Sequence, residues 1–200
     1  MIVKRIEYQK KERAIKTLYL IRHAKSDWSD GKIDDFERGL RKKGYKDIQT
    51  MGSYLALHGV SPDLIISSSA LRAQLTADEL AKRIEYPGKI HYMEELYLSR
   101  PERILNILSL QDDQYESIFV VGHNPELTIL ANKLVDNQLG KMPTLGIVKI
   151  DFDIESWDQI EEGKGKFDFY IYPNQFRYYM PKQIRAVLHR DKSLLEDDEG

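Results

Sequence analysis

Short apolar runs alternate with stretches of helical spacing along most of this 200-residue chain. The first run, Thr17 to Ile21, stops abruptly at Arg22-His23, as expected of a buried strand delivering its last residues to a sheet edge. After a polar loop, Ser26 to Phe36, the residues Leu40, Gly44, Ile48, Met51 and Leu55 recur at helical spacing as far as His58-Gly59, where the glycine suits a C-terminal cap. Asp63 to Ser67 reads as a second strand. Ser68 or Ser69 then stands where it would cap a helix whose apolar face is Ala73, Ala77, Leu80 and Ile84. Lys89 to Met93 is a shorter, weaker strand, followed by Glu94 to Tyr97 as a loop and by a helix start at Ser99 and Pro101, with Ile104, Ile107 and Leu108 facing inward. Ser117 to Gly122 is the most strand-like run and ends at His123. Asn124-Pro125 predicts a helix with Asn124 as cap and Pro125 at its first position, its buried stripe being Leu127, Leu130, Ala131 and Leu134. From Leu145 the period falls to two, with Val148, Ile150 and Phe152 on one face and then Phe167, Phe169 and Ile171, so an antiparallel hairpin is expected near a sheet edge.

Strand and helix in alternation predict an α/β fold, a three-layer α/β/α sandwich with a mostly parallel sheet and an antiparallel edge hairpin. In such a sheet the carboxyl ends of the strands form one crevice, which would gather Arg22-His23, the segment Ser67 to Arg72, and His123-Asn124. The length fits one domain, 17–173, between a basic N-terminal extension, 1–16, and a C-terminal tail, 174–200, that turns from basic to acidic and holds a short helix around Ile184 to Leu188.

Composition narrows the function. Hydrophobic residues at 42% and charged residues at 31% are those of a soluble globular protein, and a net charge of -2 gives no basic excess to hold nucleic acid. Without cysteine there is no disulfide, no thiolate metal site and no Cys nucleophile. With neither a signal-peptide core nor a membrane-length apolar run, the protein is expected in the cytoplasm, away from membranes. Trp28, Trp157 and the tyrosines read as core and rim rather than as a binding platform, and His58, His91 and His189 as surface histidines.

Two histidines and two arginines at one crevice make an anion site. Guanidinium forks match phosphate oxygens, and helix N-termini add N–H donors. Arg72, in the first turn of its helix, opposes the macrodipole at a cost of about 0.3–1 kcal/mol, so another group is expected to hold it. A neutral histidine there can attack phosphorus, and a carboxyl in the loop Glu94-Glu95 can supply the proton. Arg38 fits equally a surface residue at a helix start or an accessory phosphate ligand. No HExxH spacing or carboxylate-histidine cluster points to a metal, and no cofactor is expected.

The junctions Arg22-His23-Ala24, Ser68-Ser69-Ala70-Leu71-Arg72-Ala73 and Val121-Gly122-His123-Asn124-Pro125 resemble, in this order and spacing, the histidine phosphatase (phosphoglycerate mutase-like) superfamily. The segment from Asp35 through Arg38 to Leu40 looks most like its SixA-type phosphohistidine phosphatases. The resemblance covers about Thr17 to Tyr172. It implies His23 as phosphoryl-accepting nucleophile, Arg22 and Arg72 as phosphate clamps, His123 as a second ligand of the phosphoryl oxygens, and Glu95, ahead of Leu96-Tyr97, as proton donor in preference to Glu94. Asn124 and Arg38 are candidate substrate contacts, and Ser29 falls where mutase relatives carry a phosphate-binding Asn. Ala24-Lys25 replaces the frequent Gly-Glu, and Gly39 stands where SixA-like chains usually have Pro; these departures count more against a mutase than against a phosphatase. The short interval between Arg72 and Glu95 resembles that of open-site members, which suits a phosphate on a protein surface. The expected activity is a metal-independent phosphatase working through a phosphohistidine intermediate, its partner a phosphorylated protein or a small phosphoester. A broad phosphomonoesterase and a catalytically weak phosphoprotein-binding module remain the alternatives, and oligomeric state stays open.

Overall fold

The computed structural model describes residues 15–176 apart from 30, 136 and 137, so the basic stretch 1–14 and the helix expected around Ile184 to Leu188 lie outside the described residues. Six strands, β1 (Lys16–Arg22), β2 (Leu64–Ser68), β3 (Ile90–Met93), β4 (Ser117–Gly122), β5 (Ile147–Phe152) and β6 (Lys166–Ile171), form one sheet in the order β3-β2-β4-β1-β5-β6. β1 to β4 run parallel, while β5 and β6 make the expected antiparallel hairpin beside β1.

Side chains alternate across each strand, so one apolar run feeds two cores. Leu18 and Leu20 of β1 join Ile118 and Val120 of β4 beneath α3 (Pro101–Ser109) and α4 (Glu126–Leu134). Tyr19 and Ile21 join Phe119 and Val121 beneath α1 (Lys42–Leu57) and α2 (Leu71–Arg83). Leu18, Leu20 and Ile21 are fully buried, each contributing about 1.5–3 kcal/mol relative to an exposed position. At the opposite edge Lys166 and Asp168 of β6 are exposed, the usual protection of an edge strand from further pairing.

The topology positions the crevice. Chain leaving β1 enters α1 on one face of the sheet, and chain leaving its neighbour β4 enters α4 on the other, so a gap opens between two adjacent strand ends. Arg22 is level with Gly122 and Ser67 with Val121, which sets His23, Ser68 and His123 at one edge. Gly44 lets α1 close on the loop after β1, since a Cβ there would lie 2.7 Å from the Lys25 carbonyl oxygen.

Several element ends differ from the sequence reading. α1 starts after Leu40, which pairs with Ser26 in an isolated antiparallel bridge; Asp27 N–H to Gly39 O and Arg41 N–H to Lys25 O, both 2.9 Å, cinch the intervening loop. Neither Ser68 nor Ser69 caps α2: Ala70 holds that position, and the Ser68 hydroxyl is committed to His123. Arg100, not Ser99, precedes α3, which opens on Pro101 as expected. α4 starts at Glu126 after a cis Asn124-Pro125 bond, and the Asn124 amide reaches the Met142 carbonyl (2.9 Å) instead of capping the helix. The strand expected from Lys89 starts at Ile90, and the loop Glu94 to Tyr97 begins with a 3-10 turn. Past residue 173, Phe176 packs edge-on against Tyr54 at 5.4 Å, so the packed unit reaches beyond the boundary drawn there.

Candidate active site

His23 follows the last residue of β1, and its N–H still pairs with the Gly122 carbonyl (2.9 Å), so the strand carries the imidazole directly into the crevice. The ring is 8% exposed, and Nδ1 lies 2.8 Å from the Ala24 carbonyl. A carbonyl only accepts, so Nδ1 carries the proton and Nε2 keeps its lone pair. Burial, helped by the charges of His123, Arg72 and Arg22, outweighs the Ala24 bond and pulls the His23 pKa down to about 3. The imidazole is therefore neutral at physiological pH.

His123 leaves β4 beside it, with ring centroids 5.2 Å apart, and its Nε2 lies 2.8 Å from the Ser68 hydroxyl at the end of β2. Burial and the nearby Arg72 lower its pKa to about 4, against the opposing effect of Asp35. The Ala24 N–H donates to the Thr76 hydroxyl (3.0 Å), which donates to the Arg72 carbonyl (2.6 Å), tying the loop after β1 to α2.

The guanidiniums are held from two sides. Arg22 Nη1 donates to the Met142 carbonyl (2.7 Å), the same oxygen that receives the Asn124 amide (2.9 Å). Arg72, 5% exposed, donates through Nη1 to the Asp35 carbonyl (2.5 Å) and through Nη2 to Asp35 Oδ2 (2.9 Å). Asp35 Oδ1 pairs with Arg38, and Tyr97 donates its hydroxyl to Asp35 Oδ2 (2.8 Å). Asp35 is thus the group that holds Arg72 against the helix dipole. Burial raises its pKa, but the Tyr97 bond and the two guanidiniums outweigh this and leave it below the usual carboxylate value.

Among the expected site residues, the structure brings His23, His123, Arg22, Arg72 and Asn124 together at this edge. Arg38 joins them as a buried side chain, 6% exposed, with its guanidinium 3.4 Å over the ring of exposed Trp28. Ser29 stays outside: it is exposed, and its N–H bonds Asp27 Oδ1 (3.0 Å) within a local turn. Glu94 and Glu95 are both exposed on the turn after β3. Glu95 shares the wall of a cleft of about 700 Å³ with Tyr97, Leu98 and Arg100, and Tyr97 sets its ring edge-on to His123 at 5.6 Å.

Sequence reasoning missed Asp35, Tyr97, Ser68 and the Met142 carbonyl. Two signals pointed to Asp35: it stood in the segment carrying the family resemblance, and Arg72 needed a counter-charge. The Nε atoms of Arg22, Arg38 and Arg72, together with His123 Nδ1, are buried without a hydrogen-bond partner. Buried donors are rarely left unpaired, so the three guanidinium Nε–H groups suit a ligand rich in acceptor oxygens. Among the described residues no three His, Asp or Glu side chains gather in a way that could hold a metal ion.

Residues 18–97 match the histidine phosphatase superfamily, branch 1. Over that stretch the chain is similar to the histidine phosphatase superfamily. A structure from Agrobacterium tumefaciens, provisionally assigned as phosphohistidine phosphatase SixA, is 26% identical with a TM-score of 0.69, covering 79% of this chain and 98% of that one. The protein histidine phosphatase SixA in complex with tungstate shares the fold at 21% identity and a TM-score of 0.70, covering 80% of this chain and 99% of its own. An uncharacterized protein of Mycobacterium tuberculosis is 29% identical over 153 residues, 72% of this chain and 93% of that protein. The superfamily match takes in Arg22, His23, Asp35, Arg38, Arg72, Glu95 and Tyr97. His123 lies beyond it and is brought in by the sheet register.

Proposed function

We propose that this protein hydrolyses phosphohistidine on proteins, in the manner of a SixA-type enzyme, through a covalent intermediate on His23. The observation that carries the reading is a recessed, neutral imidazole with a free Nε2 lone pair, beside a second imidazole and the guanidiniums of Arg22 and Arg72. The SixA relative's complex with tungstate, a tetrahedral oxyanion, supports a phosphoryl group as the ligand.

In this reading His23 Nε2 attacks phosphorus while Arg22, Arg72 and His123 take the charge that builds on the phosphoryl oxygens, with Arg38 and Asn124 as outer contacts. The P–N bond to the substrate imidazole breaks, its electron pair stays on that nitrogen, and the nitrogen takes a proton from the Glu95 carboxyl. Water then attacks phosphorus, gives its proton back to Glu95, and frees phosphate with His23 neutral again. Neither step calls for a metal, and activity is expected to survive exhaustive chelation.

The test compares release of phosphate from a phosphohistidine-bearing protein and from a panel of small phosphoesters. Preference for the first, with complete loss in His23→Ala, is the expected result. Wild-type rates in His23→Ala would overturn the mechanism, and a uniform preference for phosphoesters would overturn the substrate. The basic stretch before β1 and the tail after Phe176 are proposed to lie outside the catalytic unit.

A further inference from the structure

The mouth of the crevice carries large apolar side chains that the described residues leave exposed. Trp28 is 65% exposed and Leu98 is 73% exposed. They project from different loops, the one after β1 and the one after β3. These loops meet in the site itself: Tyr97 bonds Asp35 (2.8 Å) and packs edge-on against Phe36 at 5.0 Å. Trp28 lies one guanidinium away from Asp35, and Leu98 is the residue after Tyr97 and lines the cleft beside Glu95. Leu98 has φ +49°, a left-handed conformation that leucine rarely adopts and that costs free energy while turning an apolar side chain to water. Exposed apolar groups placed together around a site mark contact surfaces.

His23 is recessed, so a phosphohistidine must insert its ring, and the surface of the protein that bears it must then come down on this rim. We infer that Trp28 and Leu98 are the two lips of a docking surface for the phosphohistidine-bearing protein, selecting a macromolecular substrate over the same phosphorylated imidazole in free form. The inference rests on the phosphohistidine reading above and adds the residues by which the enzyme recognises the carrier. Trp28, whose inner face stacks on the Arg38 guanidinium, offers its outer face. Leu98 offers its whole side chain.

The experiment measures kcat/KM for a phosphohistidine-bearing protein and for free phosphohistidine, in wild type, Leu98→Asn and the double variant Trp28→Ala/Leu98→Asn. Asparagine tolerates positive φ, so Leu98→Asn removes the apolar contact and retains the turn. Leu98→Asn is expected to lower the rate on the protein several-fold while leaving free phosphohistidine within about twofold, and the double variant to lower the protein-to-free ratio by about tenfold or more. The ratio is the readout because any disturbance of Arg38 by Trp28→Ala lowers both rates together. A ratio unchanged in the double variant overturns the docking surface even if wild type hydrolyses both substrates. Failure of wild type on both forms instead overturns the phosphohistidine reading and takes the docking surface with it.

Discussion

Arg22 and Arg72 flank the same pair of histidines, yet Arg22 is fastened by the neutral Met142 carbonyl and Arg72 by the Asp35 carboxylate. The first attachment leaves the guanidinium charge fully available to a ligand. The second neutralises part of it and shares the same carboxylate with Arg38 and Tyr97. One half of the pocket is a bare cation; the other is a cation with an internal anion that an incoming phosphoryl group must outcompete or displace.

The largest effects should come from removing the cations. Both Arg22→Ala and Arg72→Ala are expected to lower kcat/KM by roughly 10²–10³-fold, the range for losing one donor to a developing anion. Arg72→Ala should be the worse of the two, because it leaves Asp35 short of a counter-charge beside His123. The decisive measurement is a double-mutant cycle: adding Asp35→Asn should recover part of the Arg72→Ala loss and none of the Arg22→Ala loss. Equal behaviour of the two pairs would erase the distinction between the halves.

Asp35→Asn alone comes next, with kcat expected to fall about tenfold as Arg72 and Arg38 lose the charge-assisted bonds that aim them. Inhibition by orthophosphate should tighten at the same time, since the competing carboxylate is gone. Weaker phosphate inhibition would show that Asp35 only positions the arginines and does not compete with the ligand.

Much of this arrangement was legible before the structure, for a physical reason. Strand runs such as Leu18 to Ile21 and Ile118 to Val121 are apolar on both faces because helices cover both faces, so their polar ends announced the crevice. His23, Arg22 and His123 sit at those ends. Asp35 and Tyr97 do not: each lies on a loop whose path is set by long-range bonds, Asp35 to Arg72 and Tyr97 to Asp35, and no local periodicity encodes such a bond. Asn124 misled for the opposite reason, its local signal for a cap being overridden by the tertiary bond to Met142. Glu95 has the sequence position of a proton donor but an exposed place on the rim, so Glu95→Gln is the variant that decides its role, with a loss of about 10²-fold or more expected if it is the acid.

The neutral histidine pair gives a pH test of stability. His23 and His123 titrate at about 3 and about 4 in the folded protein, against 6.5 for the ordinary side chain. Between those values and 6.5 the unfolded chain binds protons that the native state does not, so stability rises with pH through this window and falls as pH drops below 6.5. Each histidine adds a slope of at most about 1.4 kcal/mol per pH unit. Urea midpoints between pH 4 and 7 should vary less steeply in His23→Gln than in wild type. Identical slopes would mean that His23 is not held neutral by its surroundings.

The smallest and most discriminating change is Tyr97→Phe. It removes a single hydroxyl, the donor to Asp35 Oδ2, while the ring keeps its edge contacts with His123 and Phe36. A hydrogen bond to a charged acceptor contributes about 1.5–3 kcal/mol, but Asp35 keeps Arg72 and Arg38 and is partly open to solvent, so the net effect belongs at the low end. A loss of about two- to tenfold in kcat/KM is expected, absent in the Asp35→Asn background because the hydroxyl then has no carboxylate to hold. The reverse, an undiminished Tyr97→Phe loss in that background, would place the hydroxyl on the substrate itself and move Tyr97 from the half of the pocket that aims the arginines to the part that touches the phosphoryl group.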